Sequence, residues 1–239
     1  MKLTLICLRL TRHTDSRSIL TALSRENGRV ALGVPAGAGR EARRLRALTM
    51  PLSMLTCETV ARPGQEILPL RQAAPLRVTP SLHSHPVKQM MAMFVAETVA
   101  LTMRQGGEDT ALFDFVAAAT MWLDGADEGA TANFHLCFLC RLAEVLGIEP
   151  DMATYKKGRV LDLRDGVWRA TPPLHPDYLM PGEAAAAAML GRMTFGTMGL
   201  YRLTHAQRQR ALDVALRYFS IHTAPLGGLR SLAVLRSLV

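Results

Sequence analysis

The hydrophobic period of this chain changes once, between Val78 and Pro86, and that change commits it to a strand-built module followed by a helix-built one. Before the change, Lys2–Leu8, Ser18–Ser24 and Arg29–Val34 are short, rich in leucine or β-branched residues, and roughly alternating. That is the pattern of strands that bury one face. Leu52–Ala61 and Ile67–Val78 complete a set of about five. Glu26-Asn27-Gly28-Arg29 supplies turn residues between the second and third strands. So many short strands in so short a stretch suit a small closed barrel, and the oligonucleotide/oligosaccharide-binding (OB) fold is the commonest solution of that kind.

After Pro86 the period is helical. Val87, Met90, Met91, Phe94 and Leu101 fall on one face, as do Leu112, Phe115, Val116, Ala119 and Trp122. Phe134, Phe138, Leu142 and Val145 repeat the pattern, with Gly147 as the expected stop. Leu212, Ala215, Leu216 and Phe219 form another stripe, and Leu232, Leu235 and Val239 a last short one. Between these stripes, Val160–Leu163 and Val167–Arg169 flank Arg164-Asp165-Gly166, a hairpin with an Asp-Gly turn. Pro172, Pro173, Pro176 and Pro181 mark a rigid, irregular connection, and Glu183–Leu190 starts a new helix. The expected organisation is α+β: a five-stranded OB barrel over residues 1–79, then an α-helical bundle over 80–239 with a small hairpin insertion near 159–170.

Charge follows the same division. Residues 1–77 hold 13 Lys or Arg against 5 Asp or Glu, while residues 78–239 hold 15 of each, so the net +8 of the chain belongs to its first third. A basic module favours an anionic partner such as nucleic acid. Arg9, Arg12 and Arg17 lie along the first strand and the loop after it, Arg25 and Arg29 flank the next turn, and Arg40, Arg43, Arg44 and Arg46 cluster before the fourth strand as a mobile basic arm. Guanidinium forks suit phosphate oxygens. Arg9, Arg12, Arg17, Arg29, Arg40, Arg43, Arg44 and Arg46 are therefore the candidate DNA-binding residues. Residues 1–79 contain no Phe, Tyr or Trp, so bases cannot stack on aromatic rings in the manner of many single-strand-binding barrels. Binding through phosphates alone is sequence-tolerant, steeply salt-dependent, and open to duplex as well as single strand.

Other chemistry finds less support. Cys137 and Cys140 form a CxxC pair, but no second pair exists and a structural zinc site needs four ligands. The pair lies inside an apolar helix, so neither zinc nor thiol redox work is expected, and reduced thiols fit a cytoplasmic chain. Gly33, Gly37 and Gly39 lack the lysine and hydroxyl of a phosphate loop. His13, Asp15 and Ser16 are neighbours in one polar loop, whereas a hydrolase triad is assembled from distant segments. No catalytic constellation emerges, and no cofactor is expected. No stretch reaches the roughly 18 to 20 apolar residues of a membrane helix.

Several short stretches can be taken together. In the barrel they are Glu26-Asn27-Gly28-Arg29 and Leu48-Thr49-Met50-Pro51-Leu52-Ser53. In the helical part they are Asn133-Phe134 through Phe138-Leu139 to Leu146-Gly147 and Pro150, then Tyr218-Phe219 to His222, and Ser231-Leu232 to Leu235. In this order and spacing they resemble the bacterial DNA repair protein family RecO. The resemblance implies an OB fold followed by a helical domain, annealing of complementary strands, and help in loading recombinase onto protein-coated single strands. It implies single- and double-stranded DNA, RecR and the acidic C-terminal tail of single-stranded DNA-binding protein as partners, RecA indirectly, and a cytoplasmic, nucleoid-associated location. Some members carry a four-cysteine zinc module after the central helix; residues 151–182 contain no cysteine, so that module is not expected here. A general OB-fold nucleic-acid-binding protein without a recombination role is the alternative.

Overall fold

A computed structural model describes residues 1–60, 64, 66–103 and 107–238. Ala61, at the end of the fourth expected strand, and Val239, at the end of the last apolar stripe, lie outside the described residues. The chain divides into two compact units, Met1–Gly125 and Ala126–Val239.

The first unit opens with strands β1 (Lys2–Arg12), β2 (Arg17–Ser24) and β3 (Gly28–Pro35), helix α1 (Arg40–Leu48), and strands β4 (Met54–Glu58), β5 (Ile67–Pro69) and β6 (Arg71–Arg77). The sheet order is β5-β3-β2-β1-β4-β6. β5 pairs parallel with β3, and β6 pairs antiparallel with β4. Only Leu70 separates β5 from β6, so the two ends of the sheet are one continuous segment and the sheet curls on itself in the OB manner. The fifth expected strand is thus a bent one, broken at Leu70 and kinked at Gln72, whose φ is +47°.

Alternation decides what fills the barrel. Leu3, Leu5 and Cys7 of β1 point inward with Leu20 and Ala22 of β2 and Val30, Leu32 and Val34 of β3. On the other face, Ile6 and Leu8 are buried as well, because helix α3 (Pro86–Thr102) packs on β1. It is preceded by the short α2 (Pro80–Ser84) and followed by α4 (Thr110–Gly125). Met91, Phe94, Val95 and Val99 supply the buried face of α3, while Leu101, expected on that face, is half-exposed. Lys88 is buried and satisfied, donating to Ser81 Oγ at 2.7 Å and to the Asp124 carbonyl at 2.8 Å.

The Glu26-Asn27-Gly28-Arg29 turn does more than reverse the chain. Gly28 takes a φ of +63°, which favours glycine. The Glu26 carboxylate accepts from Thr4 N at 2.9 and 3.1 Å and from Ser24 Oγ at 2.8 Å. Burial raises the Glu26 pKa, but these hydrogen bonds outweigh it and hold the carboxyl below its ordinary range. Arg25 beside it forms an ion pair with Asp114 and lies over the Phe113 ring at 5.6 Å, which pins the turn to α4.

The second unit contains α5 (Phe134–Val145), β7 (Val160–Asp162), β8 (Val167–Arg169), β9 (Tyr178–Leu179), α6 (Pro181–Leu190), α7 (His205–His222) and α8 (Leu232–Leu238). α5 ends as expected: Gly147, at φ +67°, donates to the Glu144 carbonyl and Ile148 N to the Ala143 carbonyl. α7 begins with a reciprocal capping box between Thr204 and Gln207. The expected hairpin is present, with Gly166 at φ +66°; a Cβ there would lie 2.9 Å from Tyr218 Oη. The proline-rich connection is not wholly irregular, because β9 within it adds a third strand beside β7. Leu161, Leu163, Trp168, Leu179, Ala184, Ala188 and Tyr218 form the core beneath this small sheet.

Candidate nucleic-acid interface

All eight candidate arginines are exposed. Their positions follow from strand register and helix phase. The β1–β2 register shifts between Cys7 and Arg9. Without that shift Arg9, two residues beyond the buried Cys7, would point into the core. The bulge places Leu8 and Arg9 in succession on the outer side and returns Leu10 to the core. Arg9 then stands opposite Thr21 on the outer face. Arg29, before the inward Val30, and Arg17, before the inward Ser18, share that face. Strand and residue spacings put successive members of the Arg29–Arg9–Arg17 diagonal roughly 12 to 14 Å apart. Arg12 lies beyond the rim, bonded to Asp15 at 2.7 Å in the β1–β2 turn.

Residues 40–46 are not a mobile arm. They form the helix α1, because Ala42, Leu45 and Leu48 recur at a spacing of three; Ala42 is buried, and Leu45 and Leu48 pack on the barrel core. Three of the four arginines there are partly committed to backbone carbonyls. Arg43 Nε donates to Ala38 at 2.9 Å, Arg46 to Ala36 at 3.2 Å and Gly37 at 3.1 Å, and Arg44 to Ala73 of β6 at 2.7 Å. Arg44 also pairs with Glu41 at 2.9 Å. Helix phase accounts for the division: Arg46 leans to one flank, Arg44 to the other, and Arg40 and Arg43 ride the crest opposite the buried stripe.

These hydrogen bonds join groups that the sequence separates. Ala36, which accepts from Arg46, donates its own N–H to Ser16 at 2.9 Å, next to Arg17. Ala73, which accepts from Arg44, lies in β6 between Arg71 and Arg77, both exposed. The result is a belt that runs from Arg29, Arg9 and Arg17 on the outer sheet, over α1, to β6, where Arg77 is exposed and Arg71 stands opposite Glu58. The last two escaped the sequence reading because they stand alone in the chain; their signal is the pairing of β6 with β4, which no local pattern reveals.

The remaining candidates fall elsewhere. Cys137 lies fully buried in α5 and its Sγ donates to the Met193 carbonyl at 3.7 Å. Burial pushes Cys137 up to about 12 and Cys140 up to about 11, so both are thiols at neutral pH. Among the described residues, no group of three or more His, Cys, Asp or Glu is placed to share a metal ion, and no helix is long and apolar enough to cross a membrane.

Residues 1–78 match the family model described as Recombination protein O N terminal, and residues 83–233 match Recombination protein O C terminal. The chain is similar to the DNA repair protein RecO of Porphyromonas gingivalis, 32% identical over 237 residues, and to that of Phocaeicola vulgatus, 31% identical over 233 residues. Both alignments cover 98% of this chain and 96% of the relative. The DNA repair protein RecO of Bacteroides fragilis is 29% identical over 234 residues.

Proposed function

Because the chain belongs to the RecO family, whose members serve DNA repair and recombination, we propose that it is a strand-annealing recombination mediator that holds DNA by its phosphates along the arginine belt of the barrel. The observation that carries this reading is the belt combined with the absence of Phe, Tyr and Trp from residues 1–79. A barrel that stacked bases would compete with the pairing it is meant to promote. One that grips phosphates leaves Watson–Crick edges free, which is what annealing needs.

The partner assignments follow the same reading: RecR, the recombinase RecA indirectly, and the acidic tail of single-stranded DNA-binding protein. For the tail, the C-terminal unit offers an apolar cavity of about 120 Å³ among α5, α6, α7 and the small sheet, lined by Leu139, Leu161, Trp168, Val214 and Phe219. Arg141 stands at its wall, paired with Glu144 at 2.7 Å, so a peptide carboxylate would take the place of Glu144.

Annealing of two complementary labelled oligonucleotides, bare and coated with single-stranded DNA-binding protein, tests the proposal. The expected result is acceleration on both, fading as salt rises. Binding without acceleration would reduce the chain to a general nucleic-acid binder and sink the mediator reading.

A further inference from the structure

The C-terminal unit carries 13 Lys or Arg and 10 Asp or Glu, a modest excess that conceals how its charge is sorted. Six of the acids are consumed by six arginines. Glu144 pairs with Arg141, Asp162 and Asp165 with Arg169, Asp177 with both Arg164 and Arg217, Glu183 with Arg210, and Asp213 with Arg236. Seven cations are left over: Arg192, Arg202, Arg208 and Arg230 are dispersed along the chain, and the other three lie together. Among the described residues, Lys156, Lys157 and Arg159 have no acidic partner, and they sit within four consecutive positions. Asp151, the nearest acid along the chain before them, is engaged by Ala153 N at 2.9 Å.

The geometry of that segment presents the cations rather than hiding them. Arg159 N donates to the Lys156 carbonyl at 3.2 Å, and Gly158 takes a φ of +87°, the arrangement of a type II turn with glycine at its third position. Lys156 and Lys157 are exposed. Arg159 is held in place by donating to the Thr154 and Trp168 carbonyls at 3.2 and 3.1 Å, so its charge is fixed at the base of the turn. The turn borders an open, polar hollow lined by Thr154, Lys156, Arg159, Trp168 and Arg169.

We infer that the Lys156–Arg159 turn is a second phosphate-binding site, which takes the sugar–phosphate backbone of a second nucleic-acid strand. This rests on the barrel reading, since annealing by one chain gains from a second strand only if a first is already held. With two strands on one chain, their encounter becomes intramolecular and its rate is set by an effective concentration in place of the bulk one. The neighbouring Arg169 does not add to the site, because Asp162 and Asp165 neutralise it.

The test counts short thymidylate oligonucleotides bound per chain at low salt, by sedimentation of the full-length protein. Thymidylate cannot pair with itself, so each bound strand reports a protein site. Wild type is expected to bind two, Lys156→Glu/Lys157→Glu one, and Lys156→Arg/Lys157→Arg two. Among the described residues, neither lysine side chain is hydrogen-bonded or ion-paired, so the charge-reversed protein keeps the thermal midpoint of wild type. A wild type that binds one strand, or a charge-reversed variant that still binds two, overturns the second site. The barrel variant Arg9→Gln/Arg17→Gln/Arg29→Gln/Arg40→Gln separates this failure from that of the barrel reading: it should fall from two strands to one. If it retains two while the lysine variant loses one, the barrel reading fails and the turn survives.

Discussion

Replacing Arg9, Arg17, Arg29 and Arg40 together with glutamine should lower DNA affinity about a thousandfold at 0.1 M salt and leave the fold intact. These four are chosen because they are exposed and no hydrogen bond or ion pair engages their side chains among the described residues. Removing one guanidinium–phosphate pair should flatten the slope of log K against log salt by about 0.9, so removing four takes between 3 and 4 from it. If the lines for wild type and variant meet near 1 M salt, the gap at 0.1 M is about 10³-fold. A salt titration of oligonucleotide binding reads both quantities. An unchanged slope would mean that the outer face and the crest of α1 are only solvated surface. Arg44 and Arg46 are left out on purpose, because each ties α1 to the barrel through a backbone carbonyl and its loss would disturb the helix as well as the charge.

Asp162→Ala should destabilise the C-terminal unit by about 3 kcal/mol in chemical denaturation. The carboxylate is buried, with 1% of its side chain exposed, yet it is fully engaged. Arg169 Nε donates to it at 2.8 Å, and the Arg164 and Asp165 amides at 3.0 and 3.3 Å; His175 lies 3.4 Å away. Truncation strands the two amides of the hairpin loop, while Arg169 can still reach Asp165 and solvent. Asp162→Asn keeps an oxygen for the amides and should cost about half as much. Burial alone would raise the Asp162 pKa, but Arg169 and the loop amides outweigh it and hold it below the ordinary carboxylate range. The sign follows from linkage. A depressed pKa contributes stability that is complete above the unfolded value near 4, and that is lost as pH falls below it toward the folded value. The alanine variant should therefore lose the part of the acid sensitivity that this group supplies. A cost under about 1 kcal/mol would show that the hairpin does not depend on this anchor.

Much of the architecture was legible because it rests on period and turn chemistry. The barrel strands, the hairpin at Asp165-Gly166, and the Gly147 stop all carry local signals. The failures have separate physical causes. At residues 40–46 the arginines hid the three-residue spacing of Ala42, Leu45 and Leu48, so a helix read as an arm. The bend at Leu70 and Gln72 needs a positive φ at a non-glycine residue, which only the closure of the sheet imposes. The two-residue β9 is too short for any period to register. The belt was half-legible: clustered arginines announced themselves, whereas Arg71 and Arg77 joined it only through strand pairing. The Lys156–Arg159 turn was invisible to a charge count, because its excess emerges only after the ion pairs around it are known.

The measurement that bears most directly on the central claim compares binding of one single strand with that of the same strand stripped of its bases, across a salt series. Phosphate-only recognition by the barrel predicts equal affinity within about twofold and the same steep slope for both, with duplex close behind. A loss of about 1 to 3 kcal/mol per base removed, with a shallow slope, would mean that the bases are being stacked after all, and would contradict the account.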